Sequence, residues 1–268
     1  MTRVADLMSS PPISVGGDAT LGDVAALLVE RRVHGVVVLE GETVAGVVSD
    51  TDLLAGEWLG DDDEGLATMR ALTARELMTS PPVTIDAEAD AVEASTLLRR
   101  QRLARLVVTE GEGPVGVLAT SDLVALLGRG APLGRASVAD VMSHGVVVCR
   151  EETTAAQAAR AMTERRSRSL VVVSPHGAPR GVVTGADLLP LVAGGGTDTP
   201  VRELMHGPLS IAPDASLREA ADRMLKEEVH RLVVIDPGAR DTIPLGIVST
   251  ADLAAEMAEP GSVWRAPA

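Results

Sequence analysis

Phenylalanine and tyrosine are absent from this 268-residue chain, and Trp58 and Trp264 supply all of its aromatic area. Val, Leu, Ala and Met must therefore fill the core, and a hydrophobic share of 46% is enough for that. Cysteine is nearly missing too. Cys149 cannot form an internal disulfide and has no second thiol for a metal site; it stands where Val15, Ile85 and Ile211 stand elsewhere, so a small buried hydrophobe is expected. Basic residues are outnumbered 24 to 38, and the net charge of −14 opposes contact with nucleic acid or anionic lipid. No apolar run approaches the ~20 residues that cross a bilayer, and Met1-Thr-Arg-Val-Ala-Asp6 has no secretory apolar stretch. Nucleic-acid binding and membrane insertion are not expected, and a cytoplasmic location is. Catalytic signatures are lacking as well: there is no Gly-x-Gly-x-x-Gly, no Walker loop and no His-Glu-x-x-His. His144, His176 and His206 fall in turns without shared spacing, and Asp61-Asp-Asp-Glu64 occurs once, in a connector, as a solvated charge run. Neither an enzyme nor a metal site is expected.

What is present is a fourfold repetition. Gly46-Val-Val-Ser-Asp-Thr-Asp52 returns as Gly116-Val-Leu-Ala-Thr-Ser-Asp122, Gly181-Val-Val-Thr-Gly-Ala-Asp187 and Gly246-Ile-Val-Ser-Thr-Ala-Asp252, at steps of 70, 65 and 65 residues. Self-similarity at a long period sets the architecture before any local reading. Each unit opens on Leu7-Met8, Leu77-Met78, Val141-Met142 or Leu204-Met205. A helix-start pair follows: Thr20 with Asp23, Asp90 with Glu93, Thr154 with Gln157, Ser216 with Glu219. From that cap to the final Asp there are 32, 32, 33 and 36 residues, and the surplus in the fourth unit lies in Asp236–Pro244, between two strands.

One unit reads strand, helix, strand, strand, helix. In the first, Pro12-Ile-Ser-Val15 suits a brief strand. Leu21, Val24, Ala25, Leu27 and Leu28 share a helical face. Gly35–Leu39 and Val44–Val48 form a buried hairpin, and helical spacing resumes at Ser49. Units this small have marginal cores, so pairing of neighbours is expected; Gly128-Arg-Gly-Ala-Pro-Leu-Gly134 is a flexible stretch between two halves, while Asp61–Glu64 and Gly194–Asp198 also look like connectors. The expected fold is α+β, with four β-α-β-β-α repeats at 1–57, 74–128, 137–193 and 200–257, grouped as modules 1–128 and 135–268.

On these residues the chain resembles the cystathionine-beta-synthase (CBS) domain, two copies of which usually pair into a Bateman module. Val229-His-Arg-Leu-Val-Val-Ile-Asp236 with Gly246–Asp252 is similar to the last repeat of the AMP-activated kinase gamma subunit. The resemblance runs from Arg3 to Met257. It implies two Bateman modules whose clefts take adenosine compounds, the adenine slipping between apolar side chains.

The closing Ser/Thr-x-x-Asp pattern has a structural explanation: Ser49 with Asp52, Thr184 with Asp187 and Ser249 with Asp252 have the spacing of helix caps, worth about 1 kcal/mol each. It also has a functional one. The strand-head glycine permits close backbone approach, and an Asp at a helix start can accept bonds from a ribose diol, whereas it would repel phosphate. Phosphate needs donors and positive charge, which the head of the second strand offers in His34-Gly35, Ala104-Arg105, Arg168-Ser169 and His230-Arg231. Ranked by completeness, His230, Arg231, Ser249 and Asp252 of repeat 4 come first, then Arg168, Thr184 and Asp187 of repeat 3. His34, Ser49 and Asp52 of repeat 1 follow. Repeat 2 keeps Arg105 and Asp122 but has Ala119 in place of the hydroxyl, which Thr120 replaces only if the backbone shifts.

Two readings stay open. One is a non-enzymatic regulatory sensor of AMP, ADP or ATP, with NAD or S-adenosylmethionine as alternatives, acting on a client protein. The other is a scaffold with vestigial clefts. The expected partners are an adenosyl small molecule, a client protein and a second copy of the chain.

Overall fold

The structure is a computed structural model that describes residues 2–55, 63–128, 137–194, 196–238 and 243–259. Trp58, Trp264, most of the Gly128–Gly134 stretch, Asp61, Asp62, Gly195 and residues 239–242 of the fourth-unit surplus lie outside them.

Each repeat follows the expected order. Repeat 1 is β1 (Ser14–Gly16), α1 (Leu21–Arg31), β2 (Gly35–Glu40), β3 (Thr43–Ser49) and α2 (Asp50–Leu54); α3 (Asp63–Ala71) and α4 (Ala74–Leu77) lead on. Repeat 2 is β4 (Thr84–Asp86), α5 (Ala91–Gln101), β5 (Arg105–Glu110), β6 (Gly113–Ala119) and α6 (Thr120–Gly128), followed by α7 (Val138–Val141). Repeat 3 is β7 (Val148–Cys149), α8 (Ala155–Glu164), β8 (Ser169–Val173), β9 (Pro179–Thr184) and α9 (Gly185–Val192). Repeat 4 is β10 (Ser210–Ile211), α10 (Leu217–Lys226), β11 (Arg231–Val234), β12 (Gly246–Ser249) and α11 (Thr250–Met257). The long helices start where the caps predict. Thr20, Thr154 and Ser216 accept the amides of Asp23, Gln157 and Glu219 through their hydroxyls, and Asp90 accepts those of Val92 and Glu93. The helix α3 is a correction. Asp63 and Glu64 open it rather than ending a plain connector, and its Leu66 and Met69 are buried.

Each repeat holds a three-stranded sheet in chain order, its first strand parallel to the second and the second antiparallel to the third. The register sets the head of the middle strand against the end of the last: Gly35 faces Ser49, Arg105 faces Ala119, Ser169 faces Thr184 and Arg231 faces Ser249.

The Met-bearing segments do not lie on the repeats they open. Ser9 exchanges backbone bonds with Val117, Thr79 with Val47, Ser143 with Ile247 and His206 with Val182, at 2.9 to 3.2 Å. Each segment thus edges the third strand of another repeat, and the strand-head glycine makes room for it. A methyl at Gly181 would lie 2.6 Å from the Met205 sulfur and 2.7 Å from the His206 carbonyl oxygen; Gly46, Gly116 and Gly246 meet Met78, Met8 and Met142 in the same way. The close approach expected of these glycines is made by the chain itself.

By contact the chain forms two compact units. One compact unit comprises Met1–Pro12, Val83–Val146 and Leu209–Ala268, and so holds repeats 2 and 4; the other comprises Ile13–Pro82 and Val147–Pro208, with repeats 1 and 3. The reason is where the apolar helix faces go. In the odd-repeat unit, Leu21, Leu28 and Leu54 share one core with Met162, Leu188 and Leu189, and Arg70 of α3 donates to the carbonyls of Leu191 and Val192 at the end of α9. In the even-repeat unit, Leu98, Leu123 and Leu126 pack with Ala254 and Met257, Val124 packs with Met224 and Leu253, and the buried Ser95 hydroxyl donates to the Ala254 carbonyl. Aliphatic side chains and methionines fill these cores, as the missing aromatics require.

Candidate functional site

The cap residue, the closing Asp and the head of the middle strand come together in every repeat. The amide of the first helical residue donates to the carbonyl just before the middle strand: Asp50 to His34, Thr120 to Ala104, Gly185 to Arg168 and Thr250 to His230, at 3.0, 3.0, 3.4 and 2.9 Å. That bond ties the helix start to the end of the strand carrying the predicted phosphate donors.

The closing Asp is a working cap in all four repeats. In repeat 4 the Ser249 hydroxyl and amide donate to Asp252 Oδ2 at 2.6 and 2.8 Å. Repeat 1 does the same with Ser49 and Asp52 (2.6 and 2.8 Å), and repeat 3 with Thr184 and Asp187 (both 2.7 Å). In repeat 2 the Ala119 amide alone donates to Asp122 Oδ2, at 2.7 Å. Thr120 does not replace the missing hydroxyl, because its Oγ1 is 3.0 Å from Thr250 Oγ1 in a buried pair.

Capping uses Oδ2 and leaves the other oxygen to distinguish the repeats. Oδ1 of Asp52, Asp122 and Asp252 makes no hydrogen bond among the described residues, whereas Oδ1 of Asp187 is 2.7 Å from His206 Nε2. His206 was expected to be an idle turn residue. Its signal was in the repeat: aligned on the Met pairs, it stands where Ser9, Thr79 and Ser143 stand. In repeat 1, His34 Nδ1 donates to Asp50 Oδ2 at 2.9 Å, with both side chains part-buried.

Burial pushes the Asp252 carboxyl up from its ordinary value, against the Ser249 bonds and the charge of Arg231. Asp122 is also pushed up by burial, opposed by the Ala119 amide and Arg105. Cys149, half-buried in β7, has its thiol pushed up to about 11 by burial, opposed by a bond with Thr153. A cavity of ≈ 300 Å³ lies within the even-repeat unit, lined by Ser121 and Val124 of α6, by Met224, Glu228 and His230 around the end of α10, and by Thr250. Among the described residues no cluster of three His, Cys, Asp or Glu could hold a metal, and no helix is long and apolar enough to cross a membrane.

A family profile described as CBS domain matches residues 4–57, 74–129, 138–194 and 201–259. The chain belongs to the CBS-domain family. Its four CBS repeats are similar to protein MJ1404 of Methanocaldococcus jannaschii, 25% identical over 217 residues, covering 76% of this chain and 49% of that protein. They are also similar to a 33.4 kDa protein in a ribosomal RNA operon of Thermofilum pendens, 26% identical over 200 residues, with 70% and 63% covered. The chain thus spans about half of the first of these relatives and just under two thirds of the second. Among solved structures, MJ1225 of Methanocaldococcus jannaschii, described as a proposed archaeal homolog of g-AMPK, superposes with a TM-score of 0.81 at 18% identity, over 94% of this chain and 99% of that one. A conserved protein of Pyrococcus horikoshii gives 0.64 at 20% identity, over 96% and 100%. At these identities the likeness is one of fold.

Proposed function

We propose that this CBS-domain protein is a non-enzymatic regulatory sensor that takes adenosine-containing ligands, AMP, ADP or ATP first among them, in the clefts of its repeats and passes their occupancy to a client protein. Consecutive repeats act in it as modules 1–128 and 135–268. One observation carries the reading: in repeat 4 a part-buried carboxylate keeps one oxygen unspent beside a strand head bearing His230 and Arg231. A capping carboxylate needs one oxygen only. The other is a ready acceptor for a ribose diol, and the adjacent imidazole and guanidinium suit phosphate. MJ1225, described as a proposed g-AMPK homolog, shares the fold across nearly the whole chain, which agrees with a regulatory role.

Thermal unfolding with AMP, ADP, ATP, NAD and S-adenosylmethionine tests it. A ligand at 100 times its dissociation constant should add about 2.7 kcal/mol. An unchanged midpoint with every one of them overturns the reading in favour of a scaffold.

A further inference from the structure

Position by position, the two compact units furnish their clefts differently, and the difference lies in charge and in which acceptors are already taken. The first residue of the closing helix is Asp50 in repeat 1, Thr120 in repeat 2, Gly185 in repeat 3 and Thr250 in repeat 4. Its amide is bonded to the residue before the middle strand, so its side chain stands at the end of the cleft where phosphate donors are placed.

Within each unit these positions face one another. Thr120 and Thr250 touch through their hydroxyls at 3.0 Å, so the even-repeat unit presents a neutral, buried pair there. In the odd-repeat unit the opposed pair is Asp50 and Gly185: a methyl on Gly185 would lie 3.8 Å from Asp50 Oδ2. One carboxylate therefore stands at both helix starts of that unit, and His34, which would otherwise greet a phosphate, donates to it at 2.9 Å. The sugar end differs as well. In repeat 3 both oxygens of Asp187 already have partners, Thr184 on Oδ2 and the exposed His206 on Oδ1, so a ribose diol must compete with the imidazole. In repeats 2 and 4 the corresponding oxygen is unspent, and the ≈ 300 Å³ cavity reaches Thr250 and His230, near the lower end of the volumes of about 300–1,000 Å³ that hold small ligands.

We propose that the even-repeat unit takes the phosphorylated adenosyl ligand, while the odd-repeat unit is closed to it by the chain's own His34–Asp50 and His206–Asp187 pairs. This rests on the adenosyl-sensor reading above and names the clefts and ligand charge within it. It keeps repeat 4 first but departs from the order expected from sequence, in which repeat 3 stood second and repeat 2 last.

Isothermal titration of the full chain with AMP, and separately with adenosine, tests it. The wild type should bind no more than two AMP per chain. The double variant Asp50→Thr, His206→Ser, which installs residue types found at the equivalent positions of other repeats, should raise that number above the wild-type value. Asp122→Ala with Asp252→Ala should weaken AMP binding at least tenfold while far-ultraviolet circular dichroism stays that of the wild type. More than two AMP on the wild type, or no gain in the Asp50→Thr, His206→Ser variant, overturns the proposal and leaves the sensor reading standing. The same follows if AMP binding is undiminished after loss of both Asp122 and Asp252. Absence of any heat with AMP and adenosine, in wild type and variants alike, overturns the sensor reading itself.

Discussion

At Asp252 a helix cap and the proposed ribose acceptor coincide. Its Oδ2 closes a capping box, and burial raises its pKa. The sign follows: an acid whose folded-state pKa is raised contributes stability that is fully present below the ordinary carboxylate pKa and is lost as pH rises through the raised one. A diol donating to the ionised form lowers that pKa again, so adenosine binding should release protons between the ordinary carboxylate value and the raised one. Titrations in buffers of different ionisation enthalpy should show it, and proton uptake there would contradict it. Asp252→Ala should cost about 1 kcal/mol as a lost cap and at least tenfold in adenosyl affinity; a cap without a ligand role would lose only the stability. Thr120 and Thr250 give a second residue-scale prediction. Thr250→Val strands a buried hydroxyl at a cost of about 1–3 kcal/mol, whereas Thr120→Val with Thr250→Val together should be close to neutral, so chemical denaturation of the full cycle should show strong coupling. The cap spacings could be read from sequence because they are local. The Thr–Thr bond could not, because it joins residues 130 positions apart.

At the scale of elements, hydrophobic spacing placed the strands and helices of each repeat, since alternation and helical faces are properties of short windows. It says nothing of where the Met-bearing segments lie. Leu7-Met8 and its counterparts mark the start of a repeat in sequence, yet each bridges the edge strand of another, which no local pattern records. Their meaning is visible only beside the glycine they approach. Gly181→Ala should therefore destabilise the protein by about 1–3 kcal/mol through overpacking against a backbone carbonyl, while Gly145→Ala, where an added methyl meets nothing within 4 Å, should change the unfolding midpoint little. Equal midpoints for the two variants would contradict the packing account. The helix α3 is not legible in the sequence because its acidic start reads as a connector, and its contact with the end of α9 comes from a distant part of the chain.

For the whole molecule, the consequence is that neither compact unit is continuous in sequence. Residues 1–128 lack the partners of α1 and α2 from repeat 3 and those of α5 and α6 from repeat 4, so Leu28, Leu54, Leu123 and Val124 would lose their cover. A fragment of residues 1–128 should bury those faces against a second copy and sediment as a dimer at micromolar concentration. A stable, well-dispersed monomer would show that the helix-to-helix cores contribute little.

Fourfold repetition, the order of elements and the helix caps were determined by sequence alone, because each depends on residues within one unit of about 65. Tertiary structure decided which repeats share a core, what fills the glycine notches and which carboxylate oxygens remain unspent. Those depend on contacts between side chains more than one repeat apart. His206 against Asp187 and Asp50 beside Gly185 are the cases that matter, since the chain brings them together only by folding.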